Sequence, residues 1–231
     1  MTDGPLLAVA HRAGNSLERL RTAVELGADV VEADVNAHRG RLEVHHLKGM
    51  GPLPLLWDRW ELRSARAPRL GLETLLTAVD DGVTFMIDLK GQDPAIGAEV
   101  ARELHERAPE RPVLVCSRNW AALAPFAGVG WVRTLRSART RRELARLLTA
   151  LDAGGGGAHG STGAAPYGVS VHRSLLDPDV AAELHRHVEV VMTWPVNDDA
   201  ALDDVLTLRG SGSLGVISDE TPVLRRLIAE R

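Results

Sequence analysis

Five polar residues at the ends of short apolar runs could do chemistry together: His11 after LLAVA, Glu32 and Asp34 inside VVEADV, and Asp88 with Lys90 closing TFMIDLK. Strand interiors rarely carry an ionised carboxylate, because burying one without a partner is costly. Three carboxylates converging at one sheet edge would repel one another unless a cation sat among them. Glu32 and Asp34 are two apart, so on a strand their side chains share one face, roughly 7 Å apart along it. The pattern predicts a divalent-metal site, and oxygen-only ligation suits Mg²⁺ or Ca²⁺ better than zinc. Singly, an acid ending a strand is more often a helix cap or an ion-pair member, and Lys90 could simply pair with Asp88. The joint pattern is harder to reach by chance, because every residue lies at the same end of its run.

Other residues extend the set. In Leu42-Glu43-Val44-His45-His46 adjacent strand residues face opposite ways, so only one histidine can reach the site. Ser117 and Trp194 end later runs and are expected to line the pocket, with His172 a further candidate. His38, His105, His159, His185 and His187 fall in helix or loop contexts and are expected at the surface. Trp57 and Trp60 read as packing within a lid.

The elements that must position these residues alternate. Strand-like runs at Leu6–Ala10, Asp29–Val35, Thr84–Leu89, Pro112–Cys116, Gly130–Leu135, Tyr167–Val171, Glu189–Thr193 and Leu214–Ile217 lack strict alternation, as strands buried on both faces do. Helical candidates lie between and after them: Ser16–Leu26, Gly71–Asp80, Pro94–Ala108, Asn119–Phe126, Thr140–Leu151, Asp177–His187, Asp198–Leu208 and Thr221–Ala229. Asp177 and Asp198 are N-cap types, Gly27 and Gly82 suit helix stops, and Pro222 sits just inside a helix start. Eight strand–helix units predict an α/β fold of the (β/α)₈ TIM-barrel type, whose active face is the C-terminal end of the strands. An open doubly wound sheet would carry a glycine-rich turn after its first strand, and His11-Arg12-Ala13-Gly14-Asn15 is not one. Residues 36–70 interrupt the repeat with an extra strand, Arg41–His46, and an irregular stretch expected to form a short lid insertion. Residues 153–166 read as a glycine-rich surface loop.

Composition narrows the class. With 231 residues, 45% hydrophobic and 25% charged, the chain suits one core, and residues 1–231 are expected to form a single domain. Net charge is −4 with Lys and Arg scattered, which argues against nucleic acid as a partner. The one cysteine, Cys116, excludes an intrachain disulfide and is expected to pack as a small apolar residue. No run approaches the ~18 apolar residues of a membrane span, and the N-terminus lacks signal-peptide character, so a cytoplasmic location is expected. Composition leaves the oligomeric state open.

These residues resemble the glycerophosphodiester phosphodiesterase family. The likeness runs through AHRAGN, GADVVEADV, the strand ending in His46 and FMIDLK, then VLVCSRNWAAL, VVMTWPVNDD and GVISDETP. The resemblance implies a barrel of the phospholipase-C-like phosphodiesterase type that hydrolyses glycerophosphodiesters to an alcohol and glycerol phosphate, using one divalent metal and two histidines. It assigns His11 and His46 as the catalytic pair, Glu32, Asp34 and Asp88 as metal ligands, and Arg12 as a phosphate contact; charge placement adds Lys90 beside the phosphate. The chain departs from the family pattern at Gly14-Asn15-Ser16, at Leu47 where Asp is frequent, and at Asp88 where many members carry Glu. Asp88 with Lys90 and Trp194 is similar to the sphingomyelinase D branch, which implies an alternative lysophospholipase D-like enzyme forming a cyclic phosphate. A non-catalytic phosphodiester-binding barrel is a less favoured alternative. Of the two histidines, His11 is the favoured base and His46 the favoured acid.

Overall fold

Strand and helix alternate into a closed barrel in the computed structural model, which describes residues 4–49, 55–58, 61–64, 67–80, 82–154, 165–210 and 212–231. The elements run β1 (Leu6–Ala10), α1 (Leu17–Leu26), β2 (Val30–His38), then an insertion of β3 (Arg41–Val44), β4 (Lys48–Gly49), β5 (Leu55–Asp58), β6 (Glu61–Ser64) and β7 (Leu70–Gly71). The repeat resumes with α2 (Leu72–Thr77), β8 (Thr84–Leu89), α3 (Ala95–Arg107), β9 (Val113–Ser117), β10 (Val132–Ala138), α4 (Arg141–Asp152) and β11 (Gly168–His172). It ends with α5 (Pro178–His185), β12 (Val190–Trp194), α6 (Asp199–Leu206), β13 (Ser213–Ser218) and α7 (Thr221–Ala229). Parallel pairing follows β1-β2-β8-β9-β10-β11-β12-β13, and β13 closes on β1 with Leu6 level with Leu214 and Ala10 with Ser218. The (β/α)₈ expectation holds.

Period-two alternation sorts each strand. Val9, Val30, Met86, Leu114, Leu135 and Met192 fill the barrel interior. Their neighbours Ala8, Val31, Ala33, Ile87 and Val115 face outward to Leu20, Leu75, Val100 and Leu104 of the helices. Two residues beyond Val30 come Glu32 and then Asp34, and two beyond Met86 comes Asp88. The interior face therefore turns from apolar to acidic towards the C-terminal ends of the strands.

Helix ends follow local chemistry. Ser16, Asp177 and Asp198 cap α1, α5 and α6 through their side chains, and Thr140 with Glu143 forms a capping box on α4. Gly27 ends α1 at φ 82°. Gly82 does not end α2, which stops at Thr77. There the buried Arg111 guanidinium donates to the Leu76 carbonyl, which a longer helix would have paired, and to the carbonyls of Asp80 and Val83 in the turn that follows.

The expected helix at Asn119–Phe126 is instead a 3₁₀ segment over Trp120–Phe126 with Pro125 inside it. Proline removes an amide donor and clashes with the preceding turn, so an α-helix cannot run through. The tighter segment lets α3 approach: a Cβ on Gly97 would sit 1.9 Å from the carbonyl oxygen of Ala122. Gly97→Ala is expected to destabilise the fold by about 1–3 kcal/mol through overpacking, read as a lowered urea midpoint at unchanged slope.

The insertion is more regular than expected. β3 pairs antiparallel with β2 and then β7, while β4, β5 and β6 form a separate three-stranded antiparallel sheet. Trp57 is 43% exposed, so it is not the packing residue the sequence reading made it. Trp57 lies on the middle strand of that sheet, between Lys48 and Leu62, so its ring projects from the sheet's face. Trp60, His159 and residues 155–164 of the glycine-rich loop lie outside the described residues.

Candidate active site

The site is assembled at the C-terminal rim of the barrel. His11 leaves β1, and Arg12 follows in the left-handed region at φ 53°, a conformation costly for a non-glycine residue. That turn points the Arg12 amide at Glu32 Oε2, 2.6 Å away. It also starts a short 3₁₀ turn, Ala13–Asn15, packed against β2 so closely that a Cβ on Gly14 would lie 2.6 Å from the Ala33 Cβ. Asn15 then brackets Asp34: its amide donates to Asp34 Oδ2 at 2.6 Å, and its oxygen accepts from the Asp34 backbone at 2.9 Å. Asn15 is thus built into the site.

Glu32, Asp34 and Asp88 converge as expected, offering carboxylate oxygens within 4.8 Å of one another. Register explains this, since Asp34 and Asp88 are directly level on paired strands. Burial foremost, then the Asp34 charge, pushes the Glu32 carboxyl above its ordinary range. Burial likewise pushes Asp88 up. Burial opposes ionisation of Asp34, but Lys90, His46 and Asn15 together outweigh it and hold Asp34 low, at about 2. The Lys90 ammonium lies 2.6 Å from Asp34 Oδ1 and pairs with Asp88 as well. One ammonium cannot neutralise all three carboxylates, so Glu32 and Asp88 hold protons that a cation among them would displace. Three convergent hard oxygen donors short of positive charge fit a divalent cation of the Mg²⁺ or Ca²⁺ kind.

The two histidines stand in different fields. His11 Nδ1 lies 2.9 Å from Asp219 Oδ2, and Asp219 is held by Asn197, which donates to it at 3.2 Å and accepts its backbone amide at 3.0 Å. Burial would lower the His11 pKa, but Asp219 and then Glu32 outweigh it and hold the imidazole above its ordinary value. His46, not His45, reaches the site: its Nε2 is 2.9 Å from Arg12 Nη2 and its Nδ1 is 3.0 Å from Asp58 Oδ2. Burial, with help from Arg12 against the Asp34 charge, holds His46 below its ordinary value. His45 turns away to Glu43, 3.5 Å distant.

These groups open onto a cavity of about 1170 Å³ whose walls include His11, Arg12, His46, Asp88, Lys90 and Trp194. Trp194 and His172 meet there edge to face, with centroids 5.1 Å apart. Ser117 is a correction. It is fully buried, donates to the Leu89 carbonyl at 3.2 Å and accepts the Asn119 amide at 3.1 Å. Cys116 faces the barrel interior, so by alternation Ser117 cannot. Burial pushes the Cys116 thiol well up, leaving it un-ionised.

Sequence reasoning missed Asp219, Asn197 and Asp58 as site residues. Asp219 directly follows β13 as His11 follows β1, so the strand-end rule could have found it. Asp58 carried no comparable signal, because it comes from the insertion sheet.

No protein-family model matches the chain, and no curated protein matches it in sequence. Solved structures do match. An Oleispira antarctica phosphodiesterase, in complex with the product sn-glycerol-3-phosphate, superposes with TM-score 0.70 at 17% identity, covering 96% of each chain. A glycerophosphodiester phosphodiesterase from Parabacteroides distasonis gives 0.68 at 18% identity over 99% of both chains. One from Agrobacterium tumefaciens gives 0.63 at 18% identity over 97% of this chain and 99% of that one. The chain has the fold of the glycerophosphodiester phosphodiesterases. Among its described residues no helix is long and apolar enough to cross a membrane.

Proposed function

We propose that residues 1–231 form one phosphodiesterase domain that hydrolyses glycerophosphodiesters to an alcohol and glycerol phosphate, with a divalent metal and two histidines. One observation supports this most: two imidazoles in opposite electrostatic fields face one cavity beside three convergent carboxylates. Glu32, Asp34 and Asp88 would hold the metal, which when bound neutralises charge building on the phosphoryl group. Arg12 and Lys90 supply the remaining positive charge around the phosphate.

The acid and base roles are the reverse of those favoured from sequence. His46 is kept neutral and takes the proton from the attacking hydroxyl, whether water or the substrate's own glycerol hydroxyl. Arg12, whose guanidinium can only donate, faces Nε2 and marks it as the accepting nitrogen. His11 is kept protonated by Asp219 and gives its proton to the departing alcohol. The insertion, which carries Asp58 and Trp57 to the cavity, acts as a lid over the substrate.

Product analysis tests the proposal. Phosphorus NMR on a panel of glycerophosphodiesters and lysophospholipids with Mg²⁺ or Ca²⁺ should give a glycerol phosphate signal. A cyclic-phosphate signal would move the chain to the sphingomyelinase D-like alternative, towards which Asp88 and Lys90 lean. An unchanged diester across the panel would leave only a binding barrel.

A further inference from the structure

We propose that the barrel mouth carries a second anion subsite opposite the histidines, and that the preferred substrate is a glycerophosphodiester whose leaving alcohol bears a phosphate. This rests on the phosphodiesterase reading and names its substrate class. In the barrel order β10 is four strands from β1 in either direction, so the end of β10 faces His11 and Arg12 across the mouth. That wall of the cavity presents Arg118 and Arg139, and the cavity runs on past them to Arg136 and Arg146, which lie with Trp120 on the outer side of the sheet. Glu143 is the one carboxylate there among the described residues.

Glu143 is already engaged. It accepts from Arg118 at 2.5 Å and from the backbone amides of Arg139 and Thr140 at 2.8 and 3.0 Å. Among the described residues, the Arg139 and Arg146 guanidiniums enter no ion pair. Residues 155–164, which follow α4, contain no Asp or Glu to neutralise them. A chain of net charge −4 thus concentrates positive charge on one side of the cavity that holds its histidines and carboxylates.

The guanidiniums are also held together. Arg146 stacks over the Trp120 ring at 3.9 Å, and Arg136 lies 5.4 Å from the same centroid. Burial and then Arg146 depress the Arg136 pKa, and burial followed by Arg139 depresses that of His172. Like charges kept this close gain from an anion between them. Guanidinium groups match phosphate oxygens with paired donors. The same arrangement disfavours a quaternary ammonium, since a guanidinium already covers the Trp120 face that could have received it.

The test compares glycerophosphoinositol 4-phosphate, glycerophosphoinositol and glycerophosphocholine as substrates of the full chain with divalent metal. The phosphorylated diester should lead in kcat/KM by about tenfold or more, chiefly through KM. In the Arg139→Gln/Arg146→Gln double variant that ratio should fall to within about twofold. Equal kcat/KM for all three, or a preference that survives in the double variant, overturns the subsite. If none is cleaved, the phosphodiesterase reading has failed on its own. Calorimetric binding of inositol 4-phosphate, weakened in the double variant, would then still support the subsite, and no binding to the unmodified chain would overturn it.

Discussion

Replacing His46 with alanine is expected to lower kcat on a glycerophosphodiester by about 10²–10⁴-fold, the usual worth of a positioned general base. His11→Ala should cost a similar factor on a natural diester, but the two variants should part on an ester with a good leaving group. A p-nitrophenyl diester needs no protonation of its departing oxygen, so His11→Ala should recover most of its loss there. His46→Ala should not, because the attacking hydroxyl still needs its proton removed. Recovery in the His46 variant instead would restore the opposite assignment.

The pH profile follows from the same two fields. Activity requires neutral His46 and protonated His11. On the acid side it falls as His46 gains a proton, and that limb lies below the ordinary histidine value because burial and Arg12 hold His46 low. On the alkaline side it falls as His11 loses its proton, and that limb lies above the ordinary value because Asp219 holds His11 high. Asp219→Asn removes the stabilising charge, so it should move the alkaline limb down and leave the acid limb in place. A shift confined to the acid limb would contradict the assignment.

Lys90→Met is expected to cost the metal-free protein about 3 kcal/mol, the lower end of the range for breaking a buried ion pair. The lower end applies because the Lys90 side chain keeps 28% exposure while Asp34 has none. Removing the ammonium leaves Asp34, Asp88 and Glu32 converging with no nearby ammonium among them. For a chain of this length, thermal denaturation in chelator should show a Tm about 6–12 °C below the unmodified protein. Millimolar Mg²⁺ or Ca²⁺ should return part of that difference, because a cation that binds only the folded state stabilises it by mass action. A variant with unchanged Tm in chelator would show that the three carboxylates do not repel strongly, and the case for a metal among them would weaken.

Much of the scaffold was legible because it rests on one-dimensional signals. The bounds of β1 and β8 were read directly from apolar runs, and period-two spacing put Glu32 and Asp34 on one face. Alternation limited the site to one of His45 and His46 and the family resemblance chose His46, yet the same rule left unapplied to Ser117 put that residue in the wrong place. The 3₁₀ segment at Trp120–Phe126 shows where periodicity misleads: its apolar spacing suits a helix, while Pro125 and the close approach of Gly97 decide the geometry. Asp58 and the arginine wall were out of reach for another reason. Arg118, Arg136, Arg139 and Arg146 come from two strand ends, a loop and a helix, and only barrel closure brings them to one cavity.

Inositol release from glycerophosphoinositol tests the central claim most directly, measured on one sample in turn with Mg²⁺ or Ca²⁺, after chelation, and after metal is restored. Release with metal, its loss on chelation and its return on restoration are the expected results, with His46→Ala inactive throughout. Undiminished release in chelator, or none with any divalent metal, would contradict a metal-assisted phosphodiesterase at this barrel mouth.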